Sequence, residues 1–92
     1  MSDETTGVFG ISVAAEMVSM EAQNLRVYER RGLLEPDRTA GGTRLYSPAD
    51  VERLHRIKAL LDEGLNIAGV GRVLELEAEV QRLRDQVRRL RR

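Results

Sequence analysis

The chain has 92 residues, 41% hydrophobic and 33% charged, with 15 basic residues balancing 15 acidic ones. So short a chain buries about two-thirds of its unfolded surface, so its core is modest and self-association would enlarge it. The absence of cysteine and the single histidine exclude disulfides, thiolate metal sites and cysteine nucleophiles, and the balanced charge gives no vote for nucleic acid, leaving that question to charge distribution.

The opening MSDETTG lacks a basic n-region and an apolar h-region, and no apolar stretch approaches the roughly 20 residues a membrane span needs. A cytoplasmic, nucleoid-associated protein with no membrane partner is expected. Residues 1–10 are polar, carry two glycines and show no period, which predicts a mobile N-terminal arm. Ser12 is the predicted cap of a first short helix, with Val13, Ala14, Met17 and Val18 on its apolar face. A second helix is predicted from about Glu21 to Arg31, with Ala22, Leu25 and Tyr28 spaced by threes and Gly32 as its stop. The stretch LLEPDRTAGGTRLY then holds Pro36, Gly41 and Gly42 between short segments that suit a small β-hairpin wing. Ser47, Pro48 and Asp50 mark the start of a third helix, buried through Val51, Leu54, Ile57, Leu60 and Leu61 and closed by Gly64; Asn66 can cap the segment after it.

From Val73 onward, Val73, Leu76, Val80, Leu83, Val87 and Leu90 alternate steps of three and four, a heptad seam. Packing back onto the head is one way to cover so narrow a stripe; a second copy is the more economical one. The domain reading is therefore a mobile arm over 1–10, a winged helix-turn-helix head over 11–72 and a coiled-coil dimerisation helix over 73–92. Valine at each a position and leucine at each d favours a parallel pair. Against this, Glu75, Glu77 and Glu79 lie at one end of the tail and six arginines from Arg82 to Arg92 at the other. An antiparallel homodimer sets acid against base and separates the heads to reach successive major grooves about 34 Å apart. That orientation is the one expected.

No HExxH, GxSxG or phosphate-loop spacing occurs, and His55, mid-helix without a second ligand, reads as structural. Asp62 and Glu63 adjoin at a helix end and read as solvated. No active site, metal site or cofactor is expected, and the chain does not read as an enzyme. The second helix instead presents Gln23, Asn24, Arg26, Tyr28, Arg30 and Arg31, amides that suit base edges together with groups that suit phosphates. The wing adds Arg38, Arg44 and Tyr46. Taken singly, an arginine is usually only solvated, and Tyr28 or Tyr46 could be core residues. Their ordered combination points to double-stranded DNA.

The residues 11–70 resemble the DNA-binding head of MerR-family transcription regulators, with LRVYERRGLLEP, GGTRLYS and the VERL helix in the family's order. MEAQNLR, RTAGGTRLYS and DEGLNIAGVGRVLELE are similar to the HspR branch of heat-shock repressors. The resemblance implies a mainly α fold with a winged helix-turn-helix and a repressor that binds an inverted repeat as a homodimer. It also implies that Arg26 and Tyr28 contact the DNA backbone, that Gln23 and Asn24 face the major groove, and that Arg44 with Tyr46 anchors the wing. In that branch the DnaK chaperone serves as co-repressor. Ser19 departs from the family's usual turn glycine, Glu21 from its Ser/Thr cap, and Val27 from a frequent tyrosine. The cysteines and the effector domain through which many relatives sense ligands are not found in this sequence. An excisionase-like, DNA-bending role is the alternative function; a coiled-coil adaptor without DNA binding would leave Arg26, Arg44 and Tyr46 unexplained.

Overall fold

A computed structural model describes residues 3–91. Helices α1 (Ile11–Met17) and α2 (Ala22–Arg30), strands β1 (Asp37–Arg38) and β2 (Arg44–Leu45), and helices α3 (Pro48–Asp62) and α4 (Ile67–Leu90) come in that order, a mainly helical chain with one antiparallel hairpin. Two compact units divide it, Met1–Lys58 and Ala59–Arg92.

In the first unit, the chain enters α1 extended at Gly10, and Ala14 N donates to Gly10 O at 2.9 Å. Gly10 is therefore the cap, and Ser12, expected in that role, lies inside the helix. The buried stripe is Ala14, Ala15 and Val18, whereas Val13 and Met17 are exposed. This turns the helix by about one residue from the expected face and leaves two small alanines on the buried side of α1, which packs on α2. The turn between them passes through Ser19 at φ +55°, so serine holds the left-handed conformation that a glycine takes without strain. Lys58 on α3 closes this turn, its ammonium donating to Val18 O at 3.2 Å and Ser19 O at 3.5 Å.

The N-terminal segment corrects the expectation of a mobile arm. Val8 N and Phe9 N donate to Tyr46 O at 3.0 and 2.9 Å, Tyr46 N donates to Phe9 O at 2.6 Å, and Gly7 N reaches Asp37 Oδ2 at 2.8 Å. Farther back, Glu4 O accepts from Ala49 N at 2.9 Å, satisfying a first-turn donor of α3 that has no intrahelical partner. Backbone groups left open beside the two-residue strands thus find partners in residues 4–9, a pairing that side-chain patterning does not encode. Met1 and Ser2 of the expected arm lie outside the described residues.

Local signals set the helix starts farther on. Ser47 Oγ accepts from Asp50 N at 3.0 Å while Asp50 Oδ2 accepts from Ser47 N at 2.9 Å, a reciprocal cap that fixes where α3 begins. Val51, Leu54 and Ile57 on that helix are buried, as are Leu25, Leu33 and Leu34 of the same unit. In the second unit, Asn66 Oδ1 accepts from Gly69 N at 2.8 Å and starts α4; Leu60, Val70 and Leu74 are buried. Helix α4 runs unbroken through residues 72 and 73, where the sequence pattern divides head from tail. Beyond Leu74 every described residue except Asp85 is exposed. Among the described residues no helix is long and apolar enough to cross a membrane.

Candidate nucleic-acid interface

Helix α2 starts at Ala22 after Glu21, whose side chain makes no capping hydrogen bond. Gln23 and Asn24 occupy the exposed first turn, and Arg30 and Arg31 are exposed at the other end. Arg26 is half-buried and donates from Nη1 to Gln23 Oε1 at 3.5 Å, the outer limit of a hydrogen bond. These five side chains share one short helix and its caps, with amides at its N-terminal end and guanidinium groups along it.

Tyr28 and Tyr46 do not join that surface. Expected among the DNA contacts, they are 4% and 0% exposed in the free chain, where they are core residues on which α2 and the wing rest. Burial raises the pKa of both phenols. The Tyr46 hydroxyl has no hydrogen-bond partner among the described residues.

The wing cations are held by a residue that the sequence pattern does not single out. Glu29, on α2, accepts from Arg38 Nη2 through Oε2 at 2.8 Å and from Arg44 Nε through Oε1. Arg38 and Arg44 are register partners across the hairpin, so one carboxylate meets a cation from each strand. Partial burial pushes the Glu29 pKa up, but the hydrogen bonds and charges of Arg44 and then Arg38 outweigh it and hold the carboxyl below its ordinary value. The same hydrogen bond raises the Arg44 pKa. Arg38 Nη1 also donates to Gly42 O at 2.9 Å, bracing the loop between the strands.

Two further cations act as props. Arg53 Nε donates to Leu33 O at 2.5 Å, and Lys58 holds the Ser19 turn, so α3 fixes the chain on either side of α2 through main-chain carbonyls. The only sequence sign of Glu29 is an acid set inside the basic run of RVYERR; Arg53 and Lys58 carry no local sign, because their partners are remote backbone atoms. His55, Asp62 and Glu63 are exposed, and the described residues hold no cluster suited to a metal ion.

On α4 the seam residues Leu76, Val80, Leu83 and Val87 are 44–49% exposed and Leu90 is 81% exposed, while Val73 is half-buried. Arg82 pairs with Glu79 and Arg88 with Asp85, both within the helix. Such exposed pairs contribute little to stability.

Residues 9–77 match the family model described as MerR HTH family regulatory protein. The heat shock protein HspR of Streptomyces coelicolor is 49% identical over 81 residues, which cover 87% of this chain and 54% of that protein. GlnR of Bacillus anthracis, an HTH-type transcriptional regulator, is 36% identical over 86 residues, 90% of this chain and 67% of that one. The chain thus spans about half the length of the first relative and two-thirds of the second. Among solved structures, a MerR-family transcriptional regulator from Bacillus cereus superposes with a TM-score of 0.69 at 26% identity, covering 89% of this chain and 66% of the other.

Proposed function

Because the chain belongs to the MerR helix-turn-helix family of regulatory proteins, we propose that it is a sequence-specific, DNA-binding transcription regulator of the HspR type, a non-enzymatic repressor that acts as a homodimer on an inverted repeat. The observation that carries this reading is the pairing of exposed Gln23 and Asn24 on α2 with two wing arginines anchored to the same helix by Glu29. Amides at the start of α2 read base edges in the major groove, and Arg26, Arg30, Arg31, Arg38 and Arg44 take phosphates on either side. The contacts to phosphate set affinity and salt dependence; those to bases set sequence.

The second copy docks antiparallel along Val73, Leu76, Val80, Leu83, Val87 and Leu90. Their exposure leaves an apolar stripe that a like stripe covers, and antiparallel alignment sets the acidic start of the tail against the partner's basic end. DnaK as co-repressor belongs to the proposal through the likeness to HspR alone.

Selection of duplexes bound by the full chain from a random pool, then footprinting, tests this reading. An inverted repeat with half-sites about one helical turn apart is expected. Direct repeats occupied by laterally assembled chains would replace the repressor with a DNA-bending architectural protein, and enrichment of no sequence would remove specific DNA binding altogether. Orientation is read from single cysteines: a mixture of Leu76→Cys and Leu90→Cys chains is expected to give 76–90 crosslinks. Efficient 90–90 bonding would establish a parallel pair.

A further inference from the structure

We propose that Glu29 is a positioning residue for DNA recognition, a latch that fixes the wing to the recognition helix at the cost of one negative charge on a surface meant for phosphates. This rests on the DNA-binding reading above.

The hairpin has two residues per strand, too few to hold a shape of its own. Its one cross-strand pair of charged side chains is Arg38 opposite Arg44, and like charges directly opposite each other push strands apart. The Glu29 carboxylate removes that repulsion by accepting from both, one oxygen to each strand. Arg38 then passes the constraint to the loop through Gly42 O, where Thr39 Oγ1 also accepts from Thr43 N at 3.1 Å. Because Glu29 is on the helix that carries Gln23 and Asn24, wing and helix share one reference point. The three side chains carry a net charge of one positive, less than the two arginines alone would offer to phosphate.

Charge and position therefore predict opposite signs for the same substitution. If Glu29 matters only as a charge, Glu29→Gln should tighten binding to every duplex, since an acid beside phosphates is gone. If it matters as a latch, Glu29→Gln should weaken binding to the selected site, where helix and wing must dock together, while binding to random duplex stays equal or tightens. Glu29→Asp keeps the charge and shortens the reach, so it separates the two accounts even where the glutamine variant folds poorly.

The test measures affinity of full-length wild type, Glu29→Gln and Glu29→Asp for two probes, the duplex selected by the wild type and sheared genomic DNA, with amide hydrogen exchange of the free chains. Expected are about a tenfold loss on the selected duplex for both variants, no loss on sheared DNA, and faster exchange confined to residues 39–45. Unchanged exchange in the wing would overturn the latch whether or not DNA binds. Faster exchange with selected-site affinity equal to or above wild type would overturn its part in recognition while leaving the DNA reading intact, and failure of the wild type to select any duplex would sink that reading and the recognition role with it.

Discussion

The first unit and the tail of α4 treat their side chains in opposite ways. In the first unit several cations lean on the protein itself: Arg38 and Arg44 on Glu29, Arg53 on Leu33 O, Lys58 on the Ser19 turn. Along α4 beyond Leu74, large apolar side chains stand about half exposed in a regular seam. The first unit gains its shape from its own contacts, whereas the seam is an exposed apolar stripe that the proposed second copy would cover. Disrupting each should therefore have different consequences, local stability in one case and assembly in the other.

The largest effect is expected in the seam. Leu83→Arg buries a charge in the proposed dimer core, and should weaken self-association and binding to the selected duplex by about a hundredfold or more. Sedimentation velocity and DNA titration measure this, and helix content by far-UV circular dichroism should change little. A variant that sediments as a dimer would locate the interface elsewhere.

Next comes the contact between the N-terminal segment and the wing. A Cβ on Gly7 would lie 2.5 Å from Leu45 O and 2.9 Å from Asp37 Cβ, closer than real side chains approach. Gly7→Ala should destabilise the chain by about 1–3 kcal/mol or release residues 3–8 from the wing. Thermal unfolding reads the first outcome and amide exchange at Val8 and Phe9 the second. Wild-type behaviour in both would mean that the segment does not dock. In the other direction, Ser19→Gly should stabilise by about 1 kcal/mol, because serine at φ +55° carries backbone strain that glycine lacks. A melting temperature that falls would show the Ser19 side chain to be worth more than the strain.

Much of the fold could be read from local chemistry. Ser47, Pro48 and Asp50 announce α3, Asn66 announces α4, and the period from Val73 to Leu90 announces the seam, because each signal is complete within a few residues. Within the candidate site, Gln23, Asn24, Arg30 and Arg31 are exposed as the pattern on α2 predicts. The features that escaped are non-local. The docking of Phe9 on Tyr46 uses main-chain groups 37 positions apart that any sequence would offer. Tyr28 shares its amphipathic character with a surface phenol, and only packing decides that it is buried. Glu29 reads as one more surface acid until the hairpin brings two arginines to it.

A smaller effect is expected from the lowered Glu29 pKa. A carboxyl whose folded pKa lies below its ordinary 4.5 contributes stability that is fully present above that value and is lost as pH falls through the folded one. Wild type should therefore lose stability below about pH 4.5 more steeply than Glu29→Gln, the two curves converging in acid. Other carboxylates titrate in the same range, among them Asp3, held at about 2 by hydrogen bonds from Thr5 and Thr6, but they are common to both chains and cancel in the difference. Parallel curves would mean that the Glu29 pairs do not stabilise the folded state.

The smallest effect is expected at Tyr46, where it decides whether the wing's aromatic residue belongs to the core or to the DNA surface. Its ring is fully buried and its hydroxyl has no protein partner among the described residues. Tyr46→Phe removes that oxygen and leaves the ring to fill the same space. Stability should stay level or rise by a few tenths of a kcal/mol to about 1 kcal/mol, and affinity for the selected duplex should not change. Guanidine unfolding and DNA titration at several salt concentrations give the two readings. A fall in affinity with a shallower salt slope would show that the hydroxyl emerges to meet a phosphate when DNA binds. Tyr46 would then join Arg44 at the interface, and the wing of the free chain would have to open on binding.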